Sequence, residues 1–177
     1  MSDLPNATGA GVTEQIGIET VEVSALDLKD LGMLERQALK SYKDHCVSSF
    51  VEMAGKYMAG DEARVAIREK IDQIAFMDVD AVPEKEVDHI GRGPGGAAVV
   101  TKIKVPYAAW WMQATFEGRL HMVWLSLRKN RPTMTLDECA RMVTLSGGDK
   151  KLESLVKTVD EVSSPAILGN SPAPPQK

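Results

Sequence analysis

Ser24-Ala-Leu-Asp-Leu-Lys-Asp-Leu-Gly-Met-Leu-Glu-Arg-Gln-Ala-Leu-Lys-Ser-Tyr-Lys-Asp-His-Cys-Val-Ser-Ser-Phe-Val-Glu-Met-Ala-Gly-Lys-Tyr-Met-Ala-Gly60 decides the fold class. Apolar residues recur at Leu28, Leu31, Leu34, Ala38, Tyr42, Cys46, Phe50, Met53 and Tyr57, in steps of three and four. A stripe at that spacing lies along one side of a 3.6-residue helix, so the segment reads as one long amphipathic helix ending near Ala59-Gly60. Its start carries capping chemistry: Ser24 as the cap, Asp27 three residues on, and Val23 placed to meet Leu28 as a hydrophobic staple. A chain organised around such a helix is mainly α.

Toward the C-terminus, a second helix is expected over Asp61–Met77, with Val65, Ile67, Ile71, Ile74 and Ala75 as its apolar positions. Asp78–Asp88 is acidic and non-periodic, and Gly91-Arg-Gly-Pro-Gly-Gly96 lacks anything to pack, so 78–98 reads as a flexible loop. Val99–Val105 alternates as a half-buried strand, a partner for a short strand at Ile16–Val23, where Val21 and Val23 oppose Ile16 and Ile18. Pro106 suits a helix start, and one helix is expected from there to about Lys129. Gly118 weakens its middle by about 1 kcal/mol relative to alanine, and Arg131-Pro132 ends it. Thr135-Leu-Asp-Glu138 is a capping box, with Met134 and Cys139 as the accompanying staple, for a helix to about Leu145. After the Ser146-Gly-Gly148 turn a last helix covers Asp149–Val162. Residues 1–15 read as a disordered arm and the proline-rich 163–177 as a disordered tail. The whole is one small helical domain over 16–162, with a short two-stranded sheet.

The 177 residues are 44% hydrophobic, enough for a core, and carry a formal net charge of −4. That balance argues against a general nucleic-acid or anionic-membrane binder. Arg128–Lys157 departs from it: seven basic residues against four acidic give +3, leaving −7 elsewhere. Cys46 and Cys139 are isolated, which suits reduced thiols in the cytoplasm better than a disulfide framework. The first residues, Met1-Ser-Asp-Leu-Pro5, lack the basic and apolar regions of a signal peptide, and no apolar run nears the roughly 18–20 residues that span a bilayer.

Candidate chemistry is sparse. His45 and Cys46 are adjacent, so on a helix they diverge by about 100° and cannot form a nucleophile–base pair with each other. Asp78-Val-Asp80 begins like a calcium loop, but Val82 stands where an oxygen ligand belongs and Pro83 where glycine is required. Three scattered histidines give no zinc spacing. The glycine loop precedes a strand, whereas phosphate-binding loops follow one. Carboxylates alternate with Lys and Arg as on solvated helix faces. No cofactor, metal or catalytic role is expected of any residue.

Two binding readings remain. Thr135–Val143, the Ser146-Gly-Gly148 turn and the next helix echo a helix-turn-helix DNA reader. The would-be recognition helix, however, holds Glu153, Asp160 and Glu161 and no Arg, Asn or Gln to read base edges. The other reading is a surface for a partner's helix. Trp110, Trp111 and Trp124 fall within fifteen residues, and neighbouring Trp110 and Trp111 cannot both face one core from a helix. One of them should line a groove or an interface.

Pro106-Tyr-Ala-Ala-Trp110, Thr115-Phe-Glu-Gly118, Val123-Trp-Leu-Ser-Leu-Arg-Lys-Asn130 and Pro132-Thr-Met-Thr-Leu-Asp-Glu138 cover about a quarter of the chain. Together they resemble a segment of the tail assembly chaperones and related small proteins of long-tailed bacteriophages and prophages. The long glycine loop and its flanking strands depart from that family's pattern. The resemblance implies a non-enzymatic helical protein of the infected cell's cytoplasm, able to form homo-oligomers. Its clients would be the aggregation-prone tape-measure protein and the tail-tube subunits brought to it. It places Trp110, Trp111, Leu120, Trp124 and Leu127 at or beneath the client surface. A virion connector protein is the further alternative.

Overall fold

The structure, a computed structural model, describes residues 11–92 and 98–167. It is mainly α, with six helices and two antiparallel two-stranded ribbons among the described residues. Most of the expected arm and tail, residues 1–10 and 168–177, and residues 93–97 of the glycine loop lie outside the description. Where the sequence pattern suggested one domain, the chain divides into two compact units: the described residues up to Leu34 together with those from Met112, and Glu35–Trp111.

The first unit opens with a hairpin, β1 (Val12–Ile16) and β2 (Glu19–Val23), paired with Val12 opposite Val23 and Ile16 opposite Glu19. The strand expected over Ile16–Val23 is therefore the end of β1, a turn and the whole of β2. Gly17 turns the chain at φ +61, where a side chain is strained, and Ile18 at the tip is 98% exposed. Because residues opposite one another share a face, Ile16, Val21 and Val23 all bury on one side. They do not divide between two. Glu14 shares that face, and its carboxylate accepts hydrogen bonds from Lys151 (3.1 Å) and the Thr158 hydroxyl (2.9 Å).

Beneath the hairpin lie α4 (Phe116–Arg128), α5 (Leu136–Leu145) and α6 (Asp149–Ile167). Val123, Leu127, Cys139, Val143, Leu152, Leu155 and Val159 are almost wholly enclosed and make the core with the hairpin's apolar face. The single helix expected over 106–129 is broken. Thr115 has extended backbone and its hydroxyl accepts from the Gly118 N–H, making it the N-cap of α4. Gly118 thus stands in a first turn, buried, and not mid-helix. The Thr135–Glu138 capping box forms as expected, with Met134 and Cys139 both buried at that end. α6 runs past the expected end at Val162 to Ile167, into the segment expected to be tail. The buried Ser163 hydroxyl accepts the Leu26 N–H.

α1 covers Leu28–Tyr57, but its cap lies one turn later than Ser24. The Asp27 carboxylate accepts from the N–H groups of Lys29 and Asp30, and the Asp30 carboxylate from the N–H of Asp27: a reciprocal box built on the second of two candidate caps. Leu28, expected in the staple, is 84% exposed.

The second unit holds the rest of α1, then α2 (Gly60–Ala75), a 3₁₀ turn at Val79–Ala81, and a ribbon of β3 (Lys85–Arg92) and β4 (Ala98–Val105). It ends in most of α3 (Tyr107–Ala114). The segment expected to be a loop over 78–98 therefore contains a strand, and β4 pairs with it rather than with Ile16–Val23. Local pairing through a short connection closes a smaller loop than a partnership some eighty residues away, and it costs less chain entropy.

Candidate protein-binding surfaces

The five residues expected at the client surface fall into both units. In the first, Leu120 and Leu127 are buried in the α4 core. They hold the helix in place and have no apolar area to offer a partner. Trp124 is half-buried. Its indole N–H donates to the Met134 carbonyl (2.9 Å), the His121 ring stands edge-on at 6.3 Å, and the Arg128 guanidinium lies 5.0 Å above its face. The indole thus ties α4 to the turn before α5 and presents its remaining surface beneath a cation.

The basic run after Trp124 is engaged within the fold. Lys129 Nζ donates to the Ala25 carbonyl (2.6 Å) and pairs with Asp30 (2.8 Å) and Asp27 (3.2 Å). Burial disfavours its charge, but hydrogen bonds with the two carboxylates outweigh that and raise the Lys129 pKa. Asn130 donates to the Ser24 hydroxyl (2.7 Å), Arg131 pairs with Glu19 (2.6 Å), and the Ser126 hydroxyl donates to the Ser24 carbonyl. Ser126–Arg131 therefore clamps the hairpin and the start of α1 onto α4. Next to the clamp an open cleft of about 670 Å³ is lined by Arg131, Met134, Arg141, Met142 and Leu145, with Leu145 standing 87% exposed at its rim.

In the second unit the adjacent tryptophans diverge as a helix requires. Trp111 is fully buried and Trp110 half-buried. Trp110 continues an aromatic ledge: its ring centroid is 5.4 Å from Tyr107, whose ring meets Tyr42 edge-on at 5.0 Å. Lys85 Nζ sits 5.0 Å from the Trp110 centroid and 5.8 Å from that of Tyr107. A pocket of about 250 Å³ borders the ledge, floored by Ala38, Leu39, Val82 and Tyr107 and rimmed by Glu35, Asp80 and Glu84.

The larger feature of this unit had only a faint signal in the sequence. Among the described residues its buried hydrophobic side chains are Ala38, Ala54, Ile74 and Trp111. Against these, Met53, Tyr57, Val65, Ile71 and Phe76 are exposed along α1, α2 and the residue after it, Tyr57 and Phe76 by more than four-fifths. Ile90, Val99, Val100 and Ile103 are exposed on the ribbon. The stripe that defines α1 as amphipathic is thus enclosed at Leu34 and Ala38 and open at Met53 and Tyr57.

The enclosed Cys139 thiol does not have the setting of a nucleophile. Burial pushes Cys139 up to about 12. Cys46 lies beside Tyr42, whose phenol is raised by its own burial and by that thiol. Among the described residues no three His, Cys, Asp or Glu side chains converge as a metal site would need, and no helix is long and apolar enough to cross a membrane.

No family model, curated protein or solved structure matches the chain.

Proposed function

We propose that this chain is a non-enzymatic binding protein, a tail assembly chaperone of a long-tailed bacteriophage or prophage that holds the tape-measure protein in the host cytoplasm. One observation carries the binding part of this reading. Among the described residues the second unit leaves large apolar side chains uncovered along two helices and a ribbon while enclosing few of its own. Monomeric soluble proteins rarely leave such area open, and exposed apolar faces of this kind mark sites for other chains. An amphipathic client helix supplies what these faces lack, apolar anchors at three- and four-residue steps. The client's identity rests on the resemblance in 106–138.

The residues that meet the client are reassigned accordingly. The open stretch of α1 and α2 and, separately, the ledge at Trp110 are the surfaces for the client, while Leu120 and Leu127 serve the fold. The DNA reading finds less to work with, since Lys129, Arg131 and Lys151 are already paired with carboxylates of the same unit.

Co-expression with the tape-measure protein of the same genome tests the proposal. The client should become soluble and co-purify, and Met53→Asp with Ile71→Asp should abolish both effects. A client that stays insoluble and unbound overturns it. So does finding the chain in purified virions, which would favour a connector.

A further inference from the structure

The pocket of about 250 Å³ in the second unit joins three short pieces of chain. Glu35, Ala38 and Leu39 come from α1, three and four residues apart as one helix side requires. Asp80 comes from the 3₁₀ turn, and Val82 and Glu84 from the connection to β3. Pro106, Tyr107 and Ala108 stand at the start of α3. The floor is carbon, and the three carboxylates are exposed around it. Arg36, Lys40, Lys85 and Lys104 are the basic residues nearest to these in sequence, and none of them lines the pocket. Among the described residues no lysine or arginine forms an ion pair with Glu35, Asp80 or Glu84. The amide dipole at the start of α3 amounts to roughly half a positive charge at most, so the mouth stays negative.

The spread of these charges decides which cation fits. Among the described residues no three His, Cys, Asp or Glu side chains converge as a metal ion needs. Carboxylates set apart around an apolar floor suit instead an organic cation with a stem, whose carbon covers the floor while its charged head meets the rim. Guanidinium answers this better than ammonium. It is planar and weakly hydrated, it stacks on aromatic rings, and its fork of donors can reach more than one carboxylate. The rings beside the pocket already hold a cation in this manner, Lys85 Nζ lying 5.8 Å from the Tyr107 centroid and 5.0 Å from that of Trp110.

We propose that the pocket receives an arginine side chain of the client helix, its stem on Leu39, Val82 and Tyr107 and its guanidinium among Glu35, Asp80 and Glu84. This inference rests on the proposed function and deepens it by giving the client a second mark besides its apolar stripe. Uncovered apolar faces accept many amphipathic helices, whereas a carboxylate-rimmed pocket selects among them by charge.

Nuclear magnetic resonance of the isotope-labelled full chain, titrated with acetyl-arginine methylamide, reads the pocket by itself. The amides of Leu39, Val82 and Ala108 should shift and saturate in the millimolar range. Acetyl-citrulline methylamide, of similar shape without the charge, should leave them in place. Glu35→Gln with Glu84→Gln, both at exposed positions, should weaken the arginine probe about fivefold while the rest of the spectrum is unchanged. No saturable shift, an equal response to the citrulline probe, or equal binding by the charge variant overturns the proposal. In co-expression with the tape-measure protein, the same variant should recover less client than the parent. Equal recovery by both overturns this inference and leaves the proposed function standing, whereas recovery by neither overturns both.

Discussion

Replacing Leu127 by alanine separates apolar residues enclosed in the fold from apolar residues left uncovered. Leu127 is 1% exposed in the last turn of α4. The change removes three side-chain carbons. At about 0.8 kcal/mol per buried methylene, the transfer term alone is about 2.5 kcal/mol. The void left among rigid neighbours brings the expected loss to about 3–4 kcal/mol, within the range for buried leucines. Phe76→Ala is the matched contrast. Its ring is larger but 87% exposed, so stability should change by no more than about 0.5 kcal/mol. Urea denaturation followed by circular dichroism reads both, and thermal midpoints should fall by about 10 °C for Leu127→Ala alone. A Leu127→Ala protein within about 1 kcal/mol of the parent, or a Phe76→Ala protein as damaged as Leu127→Ala, would refute the division between enclosed and uncovered apolar residues.

Cys46 should react with a disulfide reagent in the native protein, and Cys139 only on unfolding, because the latter is enclosed and its thiol sits at about 12. Two rapidly reacting thiols would contradict the α5 core. Acid should destabilise the chain through its two capping boxes. Hydrogen bonding from the Asp30 N–H, then Lys129, holds Asp27 below its ordinary 3.8, and the Thr135 N–H and hydroxyl hold Glu138 below 4.5. Carboxylates depressed in the folded state contribute stability above their ordinary values and lose it as pH falls through the lowered ones. The advantage of the parent over Asp27→Asn with Glu138→Gln should therefore shrink between about pH 5 and pH 3, read by urea midpoints. A constant difference would show that the caps do not titrate as described.

The helical architecture was legible because its signals are local. The stripe from Leu28 to Tyr57 fixes α1, and Thr135-Leu-Asp-Glu138 fixes the start of α5. Errors arose where two local signals compete. Ser24 and Asp27 are both good caps, and the second prevails because Asp30 completes its box. Pro106 announces a helix, but Thr115 with Gly118 three residues later is a second start that hydrophobic periodicity runs straight across. β3 was missed because Glu86-Val-Asp-His-Ile90 alternates weakly and its acidic residues resemble a linker, while the lysines that balance them lie on the paired strand. Adjacent helical residues must diverge, and Trp111 is enclosed where Trp110 is half-buried. The uncovered face of the second unit was harder to foresee. Periodicity says that an apolar stripe exists, and only tertiary structure says how far along it the chain's own residues reach.

In the function proposed above, Glu35–Trp111 offers apolar surface which another chain covers. Hydrogen exchange of the protein, alone and with the tape-measure protein of its own genome, addresses it most directly. Alone, α4, α6 and the β1–β2 hairpin should exchange slowest, and α2 should open far more readily. With the client, protection should rise at least tenfold across α2 and the second half of α1. Equal slow exchange in both units beforehand, or a gain confined to the first unit, would contradict the account.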